Sequence, residues 1–568
     1  MTATPPKRRL FVRLARILLL GTVTLMVLVC LAIAVSAWYI ETKFIAKPPA
    51  AGVNAPVPAL SVSEAGGVRT FGNAWLAKRD GILRMYLTGD PFTLGYSNAV
   101  LTQEYVKTQE ASLIALVRTH VPSAWKFWLL RKYVIVRNKD LPSYVKEDHQ
   151  VEIYGLSRAY RDPFPELGSL YHRLLNYHAA HDISHAVMDH PLVGCTSFAA
   201  KGARTRDGHL MIGRNFDFDA GKCFDENKIV MRVKPDRGLG FISVGWPGLV
   251  GVVTAINDAK VAISVNAAQS SDTRQIGTPV SLMMREVMQY ASSLEQAVDI
   301  IRGTQVFVSD CYLVADGKTG EAAIVEKTPA RTAVVNMDGD SLIGSNHFVS
   351  DALKDDPANL KYMREGTSVV RYDRMKALVE SAASGLDAPL AAAILRDRAV
   401  PGSAAGGYGN PASLNPLVAT HSVIMDVTAG VIWVSAFPHQ LGSYVPFSID
   451  SFDAPGGVPA VDADGMLADG SFARYEASTE LISLSLALLA RNKLAEARAA
   501  ASQAEALNPD FYVPHMLLGQ IALAGRDWAS AEAHFRRTVE HYPAYESERV
   551  LIDNALAQIA AERKARPQ

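Results

Sequence analysis

A thiol, a guanidinium and a carboxylate stand near the ends of two consecutive predicted strands. Gly194 and Cys195 open the first strand, a polar turn follows at 205–208, and the second strand ends at Arg214 and Asp217. A cysteine attacks a carbonyl carbon as the thiolate, and its free side chain has a pKa of about 8.5. A nearby guanidinium lowers that pKa, and a carboxylate holds a cationic group by a charge-assisted hydrogen bond. This arrangement predicts a cysteine nucleophile for chemistry at an acyl group.

The elements around this pattern indicate a pair of β-sheets flanked by helices. Alternating or β-branched segments predict strands at 68–87, 228–234, 241–244, 250–256, 261–265, 312–315, 322–326 and 332–336. Helical periodicity predicts helices at 92–121, 125–136, 145–159, 167–188 and 279–302. Because blocks of strands alternate with helical blocks, we expect an α+β domain with antiparallel sheets between helical layers.

Two groups of polar residues in the first half have ordinary explanations. Lys126, Arg131 and Lys132 fall on a predicted helix, where we expect them to form a solvated face. Histidines cluster further along the chain, at positions 172, 178, 181, 185 and 190. His181 and His185 have the spacing to share a helix face and bind a metal, but there is no HExxH motif. We therefore expect ordinary histidines here and predict neither a metal nor a cofactor.

Composition excludes some classes of function. The chain has 568 residues, more than one hydrophobic core usually organises, and its apolar fraction of 49% argues for folded protein. Lys plus Arg and Asp plus Glu both number 57, so no basic excess favours nucleic acid. Four cysteines are too few for a disulfide framework in so long a chain. Cys223 and Cys311 either pair in an oxidising compartment or are two buried free thiols.

The N-terminus has the pattern of a membrane anchor. Basic residues at 7–9, 13 and 16 precede an uncharged apolar run from Ile17 to Trp38, and a helix needs about 20 such residues to cross a bilayer. The basic flank favours a cytoplasmic N-terminus. The rest of the chain would then lie on the far side, in the periplasm if the source is bacterial. Small residues at 34, 36 and 37 leave a cleaved signal as the alternative to a retained single-pass anchor.

The C-terminal part is predicted to be helical from about 474 onward and to contain repeats. Two 34-residue units can be superposed, so that residues 497, 501, 504 and 509 recur as 531, 535, 538 and 543. With Leu518-Gly519, the pattern resembles about two tetratricopeptide repeats followed by a capping helix. Such arrays usually bind peptides or proteins. A stabilising cap packed on the preceding domain is the equally weighted alternative.

The ordered motifs of the middle region carry a resemblance to a known family. The run Gly-Cys-Thr-Ser, then Asp-Gly, then Gly-Arg-Asn-Phe-Asp resembles the start of the mature chain in N-terminal-nucleophile (Ntn) hydrolases. It is most similar to the acyl-coenzyme A:6-aminopenicillanic acid acyltransferase family, cysteine peptidase family C45. The resemblance covers roughly residues 65–445, with further matching motifs at 89–95, 247–249, 257–258, 345–348 and 367–372. It implies a four-layer αββα sandwich that cuts its own chain.

The resemblance also implies roles for individual residues. Cleavage between Gly194 and Cys195 would give Cys195 an α-amine with a pKa of about 8, which can take the thiol proton near neutral pH. Gly194 suits the cut because it leaves the scissile carbonyl unshielded and tolerates strained dihedrals. Asp217 would hold the amine or a substrate group, and Arg214 would lower the thiol pKa. Three further matches complete the expected site, with Asn257 and Asn346 as oxyanion donors and Arg371 as electrostatic support.

Each of these residues also has a structural explanation. Arg214 and Asp217 could form an ion pair at a strand end, Asn257 could belong to a hairpin turn, and Asn346 could cap a turn. The hairpin at 255–260 reads Ala-Ile-Asn-Asp-Ala-Lys, where relatives tend to have Gly-Met-Asn-Glu-x-Gly. This departure bears on the substrate more than on the mechanism.

These inferences combine into a domain plan and a function. We predict a basic flank and anchor (1–46), a linker (47–64), a propeptide-like segment (65–194), an Ntn catalytic domain (195–455), a linker (456–473) and helical repeats (474–568). The chain would be an autoprocessing cysteine hydrolase or acyltransferase that acts on a linear amide or acyl substrate through a thioester. The alternative is a membrane-tethered repeat scaffold with an inactive Ntn domain.

Overall fold

Two β-sheets lie at the centre of the computed structural model, which describes residues 6–187, 194–218, 221–382, 385–403, 407–453 and 456–565. The strands, in chain order, are β1 (Ser63–Ala65), β2 (Val68–Phe71), β3 (Ala74–Arg79), β4 (Ile82–Gly89), β5 (Thr196–Gly202), β6 (Gly208–Asp217), β7 (Ile229–Pro235), β8 (Phe241–Gly245), β9 (Thr254–Asn257), β10 (Val261–Ala268), β11 (Ser309–Asp316), β12 (Glu321–Lys327), β13 (Thr332–Asn336), β14 (Ser341–Gly344), β15 (Ala419–Asp426), β16 (Val431–Ser435) and β17 (Tyr444–Ser448). The large sheet has the order β1-β2-β3-β4-β7-β8-β9-β10-β11-β12-β13, and the small sheet has the order β14-β5-β6-β15-β16-β17.

The segment before Gly194 is built into the large sheet. It supplies β1 to β4, and β4 pairs with β7 in parallel over seven residue pairs, from Leu83↔Ile229 to Gly89↔Pro235. The other neighbouring strands of both sheets pair antiparallel. The predicted propeptide segment therefore shares one hydrogen-bonded sheet with strands β7 to β13 of the predicted catalytic domain.

Nineteen α-helices occur in the described residues. In chain order they are α1 (Pro6–Lys43), α2 (Ala50–Val53), α3 (Pro91–His120), α4 (Ala124–Arg137), α5 (Glu147–Ala159), α6 (Leu170–Tyr177), α7 (Ala180–Val187), α8 (Lys222–Glu226), α9 (Val280–Tyr290), α10 (Leu294–Gly303), α11 (Pro357–Glu365), α12 (Ser368–Glu380), α13 (Ala388–Leu395), α14 (Gly465–Ala468), α15 (Ser471–Ala490), α16 (Leu494–Leu507), α17 (Tyr512–Ala524), α18 (Trp528–Glu540) and α19 (Glu546–Ala565). The helix predicted over 279–302 is interrupted between α9 and α10, where Ser293 caps the second helix.

The packing order is helices, sheet, sheet, helices. Alternate residues of each strand face opposite sides of a sheet, so the two sheets bury one face against each other and one against helices. The core between the sheets includes Ile82, Val230, Ile256, Ile212, Val423 and Ile432. On the outer face of the large sheet, Leu83, Met85 and Ile263 pack with Leu94, Ile153 and Met284 of α3, α5 and α9. On the outer face of the small sheet, Phe198 and Ile424 pack with Met375, Ala391 and Leu395 of α12 and α13.

Helix α1 contains one segment, Arg13–Lys43, that is long and apolar enough to cross a membrane by length and composition, with a mean hydropathy of 2.8. The end of this helix is tied to the folded body. Glu41 pairs with Arg131 and Lys132 of α4, and the backbone N–H of Ala46 donates to His172 Nδ1 at 3.1 Å. Lys132 is buried in this contact. The prediction of a fully solvated basic face on α4 is therefore wrong for Lys132, because the end of α1 covers it.

The five C-terminal helices, α15 to α19, form a helical module with small or apolar residues inside. The superposed repeat positions Ala497, Ala501, Ala504, Ala531, Phe535 and Thr538 are all buried. The stretch predicted as a linker before this module is bonded to the body. Tyr444 of β17 and Val461 form a backbone bridge, and the indole of Trp433 donates to the carbonyl of Pro459 at 3.0 Å.

The module also docks on the rest of the chain. The side-chain amide of buried Asn410 donates to the carbonyl of Tyr542 at 3.1 Å, and Arg364 pairs with Glu546 at 3.3 Å. The amide of Asn508 donates to the carbonyl of Tyr408 at 2.7 Å. All four cysteines are free thiols, so the alternative of a Cys223–Cys311 disulfide is not seen in this structure.

Candidate active site

Cys195 lies directly before β5, and the pairing of β5 with β6 brings it beside the end of β6. The register aligns Thr196 with Asn215 and Ser197 with Arg214. The backbone N–H of Gly194 donates to the carbonyl of Asp217 at 3.0 Å. The two strand ends that the sequence analysis singled out are therefore adjacent in space, and Cys195 is fully buried between them and the surrounding chain.

Arg371 connects the cysteine to Asn346. From helix α12 its Nη1 donates to the carbonyl of Cys195 at 2.7 Å, and its Nη2 donates to Asn346 Oδ1 at 2.8 Å. The amide of Asn346 in turn donates to the carbonyl of Ala267 at 2.8 Å. Ser368, at the start of α12, accepts a hydrogen bond from the backbone N–H of Asn346 at 2.8 Å. This network fixes both side chains beside the Gly194–Cys195 bond.

Arg214 is fully buried and held by the large sheet. Its Nη1 donates to Thr254 Oγ1 and its Nη2 to the carbonyl of Val265, both at 2.6 Å. The guanidinium lies over the ring of Phe216, 4.6 Å from the ring centre. Its charge acts on the Cys195 thiol and lowers the thiol pKa. These fixed contacts predict that the guanidinium stays in place while charge develops at the sulfur.

Burial raises the pKa values of the Cys195 thiol and the Asp217 carboxyl, and the neighbouring arginines lower them. In the intact chain, burial raises the pKa of the Cys195 thiol to about 11, although Arg214 and Arg371 lower it. Burial likewise raises the pKa of the Asp217 carboxyl to about 7, against the lowering effects of Arg371 and Arg214. The thiol is therefore protonated near neutral pH. Asp217 is poised to exchange a proton in the same range, as a general base requires.

Asn257 is not available as an oxyanion donor in this structure. Its Nδ2 donates to the carbonyls of Met288 and Ala291 at 3.1 and 2.7 Å, and its Oδ1 accepts from Ala259 and Val261. Both N–H bonds of the amide are thus used to fasten the β9–β10 hairpin to the end of α9. The prediction that Asn257 stabilises an oxyanion is corrected, and the alternative of hairpin chemistry is the one the contacts support.

Asn266 is the residue that the sequence reasoning missed. It lies on β10, its Oδ1 accepts from Arg214 Nη2 at 3.4 Å, and its Nδ2 donates to Ser197 Oγ at 3.0 Å. Ser197 is two residues after the cysteine. In the sequence, Asn266 only marks the end of a predicted hairpin. The available signal in the sequence was an asparagine directly after the β-rich run 261–265. The structure shows that this strand is fully buried, and a buried amide needs hydrogen-bond partners or a function.

Backbone strain does not explain the glycine at position 194. It is outside the positive-φ glycines of the structure, and a Cβ added to it would meet Asp217 Oδ2 and Arg371 Nη2 at 3.8 Å, an ordinary contact. The predicted tolerance of strained dihedrals is therefore not its reason here. The first part of the expectation, that a glycine leaves the scissile carbonyl unshielded, stays a prediction; the Cβ position of Gly194 faces the Asp217 carboxylate and the Arg371 guanidinium.

Helix α7, the last described element before Gly194, brings a histidine near the site. Its His181 lies close enough to Arg214 for the guanidinium charge to act on the imidazole. Burial and Arg214 together lower the pKa of His181 to about 4, so this histidine is neutral. The side chain of His185, which was predicted to share a helix face with His181, and the whole of His190 lie outside the described residues.

The six predicted site residues thus divide into two groups. Cys195, Arg214, Asp217, Asn346 and Arg371 surround the Gly194–Cys195 bond, directly or through one another. Asn257 is engaged elsewhere. A buried thiol with two guanidinium groups, a titrating carboxyl and amide donors can support attack on an acyl carbon and stabilise the charge that follows.

Comparison with known proteins gives a family for the middle of the chain. Residues 203–399 match the model of the family described as acyl-coenzyme A:6-aminopenicillanic acid acyl-transferase. The family recognised from the sequence motifs is thereby confirmed for this segment.

Individual relatives match over shorter stretches. An uncharacterised protein of Archaeoglobus fulgidus is 31% identical over 275 residues, which is 45% of each chain. An N-acylethanolamine-hydrolyzing acid amidase of Caenorhabditis elegans is 23% identical over 144 residues, 24% of this chain and 40% of that protein. The chain therefore spans less than half the length of these relatives. A solved structure of a C. elegans N-acylethanolamine-hydrolyzing acid amidase ortholog is 18% identical, with a TM-score of 0.30, and the match covers 41% of this chain and 93% of that one.

Proposed function

We propose that this protein is a membrane-anchored Ntn cysteine enzyme that cuts its own chain between Gly194 and Cys195 and then acts on a linear amide or acyl substrate. The observation that carries the proposal is the environment of that bond. Arg371 holds the carbonyl of Cys195 at 2.7 Å, and the Gly194 N–H is bonded to the carbonyl of Asp217 at 3.0 Å. A structural cysteine would not need a buried carboxyl and two buried guanidinium groups around it.

The first reaction is the cleavage itself. Asp217, as the carboxylate, takes the proton of the Cys195 thiol, and the sulfur attacks the carbonyl carbon of Gly194. The tetrahedral oxyanion collapses with loss of the Gly194–Cys195 C–N bond, and the departing nitrogen takes the proton from Asp217 to become an α-amine. Gly194 is then held on sulfur as a thioester, which water hydrolyses to a carboxylate and a free thiol.

The second reaction is turnover. The new α-amine accepts the thiol proton, since its pKa of about 8 allows this near neutral pH. The thiolate, favoured by Arg214, attacks the substrate carbonyl, and the amides of Asn266 and Asn346 donate to the oxyanion. The α-ammonium then protonates the leaving amine, and the acyl group remains on Cys195. Water or an acceptor amine removes it, and the same thioester serves both outcomes.

The remaining parts of the chain complete the proposal. The two sheets and their helices form the four-layer Ntn sandwich, with residues 65–194 as a propeptide-like segment and 195–455 as the catalytic domain. Helix α1 crosses the membrane with its basic flank in the cytoplasm, so the catalytic domain is extracytoplasmic. Residues 474–568 form a tetratricopeptide-like module that docks on the catalytic domain and offers a surface to a protein or peptide partner.

The amide substrate class follows from the relatives and from the site. The C. elegans relative is named as hydrolysing N-acylethanolamines, and the family model is named for acyl transfer to 6-aminopenicillanic acid. Both names describe a reaction of an acyl group. We therefore assign this chain a small-molecule substrate with an acyl group on nitrogen or sulfur.

Intact mass and N-terminal sequencing of the purified full chain test the proposal. Cleavage gives two chains of 194 and 374 residues, the second beginning at Cys195. A Cys195→Ala protein should remain intact, and a Gly194→Ala protein should still be cut because the added methyl group fits. After cleavage, incubation with N-acyl amides should add an acyl mass to the chain that starts at Cys195. A wild-type protein that stays whole and takes up no acyl group would leave only the tethered-scaffold alternative.

A further inference from the structure

Helix α4 exposes an apolar stripe to the solvent. Trp125, Leu129, Tyr133 and Val136 have 63%, 46%, 54% and 39% of their surface exposed. They are spaced by four, four and three residues, so they lie on one face of the helix. Trp128, beside them, is 36% exposed. Single exposed apolar residues are common, but a contiguous stripe of large ones marks a binding surface.

The stripe lies next to the segment that is long and apolar enough to span a membrane. Glu41, three residues after Trp38 at the end of the apolar run, pairs with Arg131 and Lys132 of α4. Lys139, just after α4, lies over the ring of Phe44 at 5.4 Å. These contacts hold α4 at the level where α1 leaves its apolar run, which is the level of the lipid headgroups if α1 crosses the bilayer.

The residue types on α4 fit that level. Trp and Tyr are enriched at membrane–water interfaces, where one end of the ring is apolar and the other hydrated. Lysine and arginine stems cover apolar surface while their charged ends reach the headgroups. Here Lys126 lies over the ring of Trp125 at 5.9 Å, whereas the ammonium of Lys132, over the ring of Trp128 at 5.5 Å, is paired with Glu41. Interfacial helices combine an apolar face with such flanking basic residues.

We propose that α4 is a second membrane contact of this protein, lying in the surface of the bilayer that α1 crosses, with its stripe in the lipid. The inference rests on the membrane anchor of the proposed function. A lipid surface is favoured over a protein partner, because α4 lies next to the proposed anchor and is ion-paired to its end. The body is then attached at two points, which fixes the direction in which the catalytic domain faces the bilayer.

The test places an environment-sensitive fluorophore on single cysteines of the full chain, in lipid nanodiscs that hold one copy each. The background carries Cys30→Ala, Cys195→Ala and Cys223→Ala, and leaves Cys311, which is buried. Probes at Leu129→Cys and, separately, Val136→Cys report on the stripe. Leu28→Cys reports on the middle of α1, and Val550→Cys, exposed on α19, is the control. Quenchers are lipids with a nitroxide either shallow or deep in the acyl chain.

The expected result is loss of fluorescence at both stripe positions with the shallow quencher, at Leu28→Cys with the deep quencher, and at Val550→Cys with neither. Quenching at Leu28→Cys alone would overturn the role of α4 and leave the anchor standing. Absence of quenching at all positions would remove both, while the cleavage assay on Cys195 still tests the enzyme separately. Because each disc holds one copy, a second copy of the chain cannot cover the stripe in this assay. Quenching that appears only when several copies share a membrane would also contradict the proposal.

Discussion

At the scale of single residues, the proposed chemistry depends on one carboxyl whose pKa lies near neutrality. Asp217 is buried beside Gly194, and burial raises its pKa to about 7. The free side chain titrates near 3.9, so the folded protein keeps the proton over a wider range of pH. The ionised form exists mainly above pH 7, and only that form can accept the thiol proton.

We therefore predict that self-cleavage accelerates as the pH rises through about 7 and levels off above it. The intact precursor, collected at acidic pH, is shifted to a series of pH values, and the appearance of the 374-residue chain is followed by electrophoresis. Asp217→Asn removes the base while keeping the size of the side chain, and it should slow cleavage at every pH. A cleavage rate that is flat between pH 5 and 9 would show that Asp217 is not the base.

A second prediction separates two buried asparagines. Asn266→Ala removes a proposed oxyanion donor, and such donors are worth about 10²–10³ in kcat. Asn257→Ala removes four hydrogen bonds of the hairpin but no proposed donor. It should lower the free energy of unfolding by about 1–3 kcal/mol, the cost of unsatisfied buried groups.

The two variants are measured side by side, by kcat on an N-acyl amide and by thermal unfolding. The larger loss of kcat is expected for Asn266→Ala and the larger loss of stability for Asn257→Ala. The reverse pattern would return the donor role to Asn257, as the sequence motif suggested.

The sequence was sufficient to predict which residues of one hairpin lie close together. It was not sufficient where the partner of a residue is distant along the chain. Cys195, Arg214 and Asp217 sit on neighbouring strands, so their approach follows from strand pairing alone. Asn257 and Asn266 flank the same hairpin and look equivalent in the sequence. The engagement of both N–H bonds of Asn257 depends on where the end of α9 packs, 31 and 34 residues away along the chain. The buried state of Lys132 was hidden for the same reason, since its partner Glu41 is 91 residues distant.

At the scale of elements, the C-terminal module is coupled to the helix that carries Arg371. Val370, the preceding residue of α12, packs against the module core formed by residues such as Phe511 and Leu517. Tyr545, between α18 and α19, lies close enough to Arg371 for the charge of the arginine to act on its phenol. Docking of the module thus supports the position of α12.

This coupling predicts that weakening the docking lowers activity without any change in the site itself. Asn410→Ala deletes a fully buried amide that bonds to Tyr542, and it should cost about 1–3 kcal/mol in stability and reduce kcat. Arg364→Ala breaks the exposed pair with Glu546 at the same interface. It should cost no more than about 1 kcal/mol, the usual value for an exposed ion pair.

Thermal unfolding and kcat of both variants test whether docking of the module affects activity. Equal and small effects on kcat would show that the module is an independent domain whose docking does not reach α12. In that case the module would act only through a partner.

At the scale of the whole molecule, the seven residue pairs between β4 and β7 would connect the two fragments that the proposed cleavage produces. The proposed membrane anchor would lie on the 194-residue fragment, and the proposed nucleophile on the other. Because β1 to β4 remain hydrogen-bonded in the large sheet, the fragments should stay together as a two-chain enzyme. We predict that they sediment together with membranes and separate in denaturant but not in high salt. Maturation would then produce a catalytic chain that is held at the membrane by its cleaved N-terminal fragment, with no covalent link between the two.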